Sequence, residues 1–173
     1  MNRKTLIVLT ALALFLCSCS ADTDKGKNSE ESSLGSVLSI SADFPYYNTV
    51  EEITAASKLI IVGEIVQAEN TILDMGDGTK LPYTICSVKV KDVFKGNPAE
   101  TIKVKVLGGN TGDGMAVSEA TPKVKTGNIC FFALNHDYDR EEYEWPVNYD
   151  QGMQILTGDP ESVPIGNEKF MLK

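Results

Sequence analysis

The chain has 173 residues, 42% of them hydrophobic and 23% charged, which is the composition of one globular domain rather than of a disordered or fibrous chain. Sixteen Lys and Arg against 24 Asp and Glu leave a net charge of −8, so the positive surface that a nucleic-acid partner requires is missing. With a single His, no GxSxG, HExxH or CxxC pattern and no phosphate-cradling Gly-rich loop, the motif-borne hydrolases, zinc enzymes and nucleotide enzymes drop out, and no catalytic residue, metal or cofactor is expected.

Asn2-Arg3-Lys4 supply positive charge, and Thr5 to Leu16 then run without a charge, the layout of a secretory signal peptide. Twelve residues are too few to span a bilayer, which takes about 20. Leu16-Cys17-Ser18-Cys19 resembles the bacterial lipobox, a Leu three positions before a Cys with small residues between. The resemblance implies a signal peptide over 1–18, with Cys19 acylated and holding the chain to the lipid bilayer on the extracytoplasmic face of the cell membrane. Leu14-Phe15-Leu16-Cys17 is a poorer register, because Phe and Leu stand where the box has small residues. Losing 1–18 leaves 14 basic and 24 acidic residues, so no basic patch assists the lipid. Residues 19–40, rich in Ser, Asp, Lys and Gly, read as a flexible spacer, and 41–173 as the folded domain.

Asn48 or Thr49 is placed to cap a short helix over Val50 to Ser57, with Glu51 and Glu52 in its first turn. Lys58 to Gln67 is β-branched and nearly continuous, a strand buried on both faces, in which Gly63 marks a bulge or barrel corner. Asp74 to Gly78 is a hairpin turn, and Tyr83 to Phe94 the returning strand, where Cys86, Val88 and Val90 alternate with Ser87, Lys89 and Lys91. After a turn at Lys95 to Pro98, Ile102, Val104 and Val106 alternate with Lys103 and Lys105 in a third strand ended by Gly108-Gly109. A polar loop follows from Asn110 to Gly127, then a fourth strand over Asn128 to Leu134 and a weaker fifth over Met153 to Leu156. Five strands, one short N-terminal helix and no βαβ spacing predict a mainly β fold, a five-stranded antiparallel barrel of the OB kind.

Ala55-Ala56-Ser57, Leu59 to Glu64, the Val93-Phe94-Lys95-Gly96 turn, and Thr126-Gly127 before Ile129 to Phe132 together resemble the netrin-type barrel of the tissue inhibitors of metalloproteinases. The order is similar to that of bacterial lipoproteins as well, and the likeness covers about residues 44–157. Cys17-Ser18-Cys19-Ser20 is similar to the inhibitors' amino-terminal Cys-x-Cys, which carries inhibition of an extracellular metalloproteinase as an alternative function. Those inhibitors use the free amine of that Cys, whereas an acylated Cys19 sits in the membrane.

Cys86 and Cys130, the thiols left after the lipobox, either pair as a disulfide or pack as small apolar side chains, and both readings stay open. The five carboxylates between Asp137 and Glu144 lack a calcium-loop spacing and read as a solvated turn. Seven of the aromatics lie off the strands: Phe44, Tyr46 and Tyr47, then Tyr138, Tyr143, Trp145 and Tyr149. Aromatics on barrel-mouth loops make a stacking platform or cap the barrel ends. The expectation is a non-catalytic binding module whose ligand, an envelope or extracellular protein or a glycan, meets Tyr143, Trp145 and Tyr149, with Phe44, Tyr46 and Tyr47 assisting. The acids nearby favour a cationic or hydroxyl-rich ligand.

Overall fold

A computed structural model describes residues 36–39, 43–110, 114–117, 121–137, 140 and 142–173; the leader, Cys19 and the chain up to residue 35 lie outside the described residues, as do Tyr138, Asp139 and Glu141. Four residues of the segment read as spacer form strand β1 (Ser36–Ser39). Helix α1 (Val50–Ala56) starts where the Thr49 hydroxyl accepts the Glu52 N–H at 3.2 Å, and Glu52 in return accepts the Asn48 N–H at 2.6 Å. The first bond satisfies a donor that the first turn leaves without an intrahelical partner, and the second ties the residue before the cap to the helix.

β2 (Leu59–Asp74) and β3 (Lys80–Lys95) form a hairpin that runs farther toward its turn than the apolar runs suggest. Their register slips at Ile60/Ile61, Val62/Gly63 and Ile65/Gln67, and such slips coil a sheet. At Gly63 the strands approach so closely that a Cβ would lie 2.5 Å from Val88 Cγ1, so no larger residue fits without displacing β3. At the far end, Gly96 takes a φ of 87° and a Cβ there would meet the Lys58 carbonyl oxygen at 2.8 Å, which explains the glycine of the Val-Phe-Lys-Gly turn.

β4 (Thr101–Leu107) follows, with Cys86 opposite Val104 and Val88 opposite Ile102 pointing into the core. β5 (Gly109–Asn110) and β6 (Gly114–Val117) join β1 in a small sheet ordered β1-β6-β5, so the segment read as one polar loop contains strand. Next come β7 (Ile129–His136) and β8 (Glu144–Pro146), and β8 closes a ring: β2 pairs with β3, β3 with β4, β4 with β8, β8 with β7 and β7 with β2. This is a mainly β structure with one helix and five strands in a ring, consistent with an OB-like fold. All pairs in the ring are antiparallel except β4 and β8, which run parallel through Val104 and Glu144.

The fifth strand of the ring is therefore β8 and not Met153–Leu156, which is β9 and pairs with β7 outside the ring. Glu144-Trp145-Pro146 escapes periodicity because three residues carry too little alternation to register. β10 (Ser162–Ile165) and β11 (Glu168–Met171) form a terminal hairpin. Two cores result. Ile61, Ile65, Cys86, Val88, Val104, Cys130, Phe132, Leu134 and Tyr149 fill one. On the other face of β2 and β7, Ile60, Phe131 and Ala133 pack with Ile53 of α1 and Val163 and Ile165 of β10. The near-continuous apolar run of β2 serves both, as expected of a strand buried on two faces.

Candidate functional site

Alternation along β4 sends Val104 and Val106 into the core and Lys103 and Lys105 to the opposite face. On that face Lys105 stands opposite Ile85 of β3, and Lys103 opposite Ser87. β8 and the residue before it place Trp145 and Tyr143 beside them. Trp145 precedes Pro146, which biases its backbone to extended geometry, and it pairs with Asn135 of β7.

Lys105 does not reach solvent as its place in the alternation predicts; it is only 7% exposed. Asp137, just after β7, packs against it, and hydrogen bonds tie Asp137 to Arg140 and Tyr143. Asp137 N–H donates to Tyr143 O at 3.1 Å, Arg140 N–H to Asp137 O at 3.2 Å and Tyr143 N–H to Arg140 O at 2.9 Å, while the Arg140 guanidinium donates to Asp74 O at the β2–β3 turn. Buried Asp137 hydrogen-bonds the Lys105 ammonium, which lies 5.4 Å from the centre of the Tyr83 ring and 5.8 Å from that of Trp145. Burial first, and the Asp137 charge second, raise the Tyr83 hydroxyl's pKa and keep it neutral. A desolvated ammonium held by one carboxylate and two ring faces is well compensated. Farther along, Lys103 lies 5.7 Å from the Tyr143 ring centre and 3.6 Å from Glu142, in the open. The outcome is a face carrying two rings and Lys103, with Lys105 buried behind Trp145, each cation matched by an acid, and Trp145 38% exposed.

The six nominated aromatics do not converge. Tyr143 and Trp145 share this face. Tyr149 is 2% exposed; its hydroxyl accepts the Leu107 N–H at 2.9 Å, and its ring meets Phe44 edge-on at 4.9 Å. Burial raises the Tyr149 pKa, so the hydroxyl remains neutral. Tyr149 is core and Phe44 packs partly buried against it, because the segment around Phe44 is strapped to the loop after β8 by Asn148 donating to Pro45 O and by the two Gln151 bonds to the Tyr47 backbone. Tyr47 packs beside α1 in the second core, and Tyr46 is 63% exposed. Sequence reasoning missed Lys105, Asp137 and Tyr83; strand alternation marked Lys105 as solvated, and nothing local to it signals the acid and rings that enclose it.

The acidic run is likewise divided: Asp137 goes to Lys105, Glu142 to Lys103 and Glu144 to His136. Among the described residues, no group of three or more His, Cys, Asp or Glu is placed to hold a metal ion, and no helix is long and apolar enough to cross a membrane. Cys86 and Cys130 are fully buried, unpaired thiols. Burial pushes both up to about 12, helped at Cys130 by the neighbouring Cys86.

In a Cys17→Ser/Cys19→Ser chain, Ellman's reagent at pH 8 is expected to find no reactive thiol until denaturant exposes two. Immediate reaction of the folded chain would contradict the burial, and none after unfolding would reveal a disulfide. Unfolded thiols ionise near 9.0 and the folded ones near 12, so between those values the folded chain binds more protons and stability falls as pH rises.

No protein-family model matches the chain, and no curated protein matches its sequence.

Proposed function

We propose that this protein is a lipid-tethered, non-catalytic binding module on the extracytoplasmic face of a bacterial membrane, and that it takes a glycan on Trp145. The carrying observation is the half-open Trp145 ring, backed by the buried Lys105–Asp137 pair and flanked by Tyr143, Lys103 and Glu142. A sugar ring presents C–H groups to an aromatic face and hydroxyls to its rim, and here the rim offers both a donor and an acceptor. OB-like folds bind oligonucleotides or oligosaccharides on the face of their second and third strands, and here those strands, β3 and β4, carry Tyr83, Lys103 and Lys105 beside the Trp145 ring. The net charge of −8 favours the saccharide over the nucleic acid. The tether rests on the lipobox resemblance at Leu16 to Cys19. The netrin-type reading of the ring rests on the Val93 to Gly96 turn and the single helix before β2.

Trp145 is the only Trp, so its fluorescence reports the site directly. Titrating the full chain in detergent with chito-oligosaccharides and with envelope polysaccharide fragments is expected to shift its emission to the blue, saturably. Trp145→Ala, followed by calorimetry, is expected to weaken binding about 10- to 100-fold, the scale of a central aromatic anchor. Unchanged emission with every glycan would overturn the assignment. Inhibition of a metalloproteinase by a chain beginning at a free Cys19 amine would favour the inhibitor reading instead.

A further inference from the structure

Across β8 from Trp145, the chain turns Glu144 to the opposite side, into a cleft of about 380 Å³ lined by Lys58, Leu59, Asn97, Pro98, His136 and Glu144. That volume is in the range of small-ligand sites. The cleft forms where the start of β2, the end of β7 and the Lys95 to Pro98 turn meet: the Lys58 N–H donates to Leu134 O at 2.8 Å, and Gly96 lets the turn close onto the Lys58 backbone.

Glu144 Oε1 lies 3.3 Å from His136 Nδ1, while Oε2 is shielded from water and accepts no hydrogen bond among the described residues. A shielded carboxylate oxygen without a donor is unfavourable, and a donor brought by a ligand relieves it. The terminal torsion of a glutamate is broad, so a partial turn of the carboxylate brings the donor-less oxygen within reach of a donor in the cleft. Lys58 is exposed at the rim, and no described residue pairs with its ammonium. Leu59 and Pro98 supply apolar wall between these opposite charges.

We propose that this cleft binds a short zwitterionic peptide, its α-ammonium on Glu144 and its carboxylate on Lys58. An acceptor lacking a donor and a cation lacking an acid, in one cleft with an apolar wall between, complement a molecule carrying both charges at its ends. The site lies off the Trp145 face, so it stands or falls independently of glycan binding.

His136 is the only His, and its imidazole Cε1–Hε1 group gives a single NMR signal beside Glu144. Adding alanyl-alanine to the histidine-labelled full chain in detergent is expected to move that signal saturably. N-acetyl-alanyl-alanine, which lacks the ammonium, and alanyl-alanine amide, which lacks the carboxylate, are each expected to bind at least about tenfold more weakly. Glu144→Gln should erase the difference made by acetylation, and Lys58→Met the difference made by amidation, with the signal of the folded chain retained in both. No movement up to about 50 mM peptide, or equal binding of all three compounds, overturns the proposal. If Glu144→Gln does not fold, Lys58→Met and the two blocked peptides still decide it.

Discussion

Asp137→Ala is expected to lower the free energy of unfolding by about 3–5 kcal/mol, because it strands the buried Lys105 ammonium with no acid to compensate it. The two side chains are each 9% exposed, so little solvent is available to take over from the lost partner. Urea denaturation followed by circular dichroism measures the loss as a lower midpoint at unchanged slope. Lys105→Met/Asp137→Leu, which removes both charges and keeps the volume, is expected to return to within about 1–2 kcal/mol of the parent. If the double variant is as unstable as Asp137→Ala, the stranded charge is not the cause. Glu142→Ala is the control. Its partner Lys103 is half exposed, and breaking that pair is expected to cost no more than about 1 kcal/mol.

Tyr149→Ala is expected to cost about 3–5 kcal/mol, whereas Trp145→Ala costs about 1 kcal/mol. Tyr149 fills the core against Phe44 and accepts the Leu107 N–H, so its removal leaves a cavity and an unpaired donor together. Trp145 has more than a third of its surface in water and loses chiefly its contact with Lys105. The same denaturation experiment separates the two. Equal losses would make Trp145 a core residue and take away the nominated glycan platform. Tyr149→Phe isolates the hydroxyl, and its expected cost is the smaller, about 1–3 kcal/mol of an unsatisfied buried N–H.

The contrast between these two aromatics shows where local pattern stops informing. Alternation over Cys86 to Val88 and over Ile102 to Val106 was enough to say which side chains face inward, because a strand's period of two is a property of the backbone alone. A cap at Asn48 or Thr49, the turn at Gly96 and the bulge at Gly63 were legible because each is a constraint within a few residues or one that glycine satisfies best, although the choice of Thr49 was not. β8 was not legible, since Glu144-Trp145-Pro146 is a strand only through its partners β4 and β7 and carries no period of its own. Taking β9 for the fifth strand of the ring followed from that, as did the expectation of a wholly antiparallel ring. Lys105 is the sharpest case: its place in β4 decided which face it lies on, and Asp137, Tyr83 and Trp145 decided that it is enclosed there. Burial of a charge depends on what lies above it, and the groups that cover and neutralise this one come from far along the chain. Composition and local periodicity thus determined the β class, the inward faces and the helix start, whereas ring closure, the split of the aromatics between core and surface, and the pairing that makes Trp145 a platform were set by contacts between distant segments, which no short window of sequence contains.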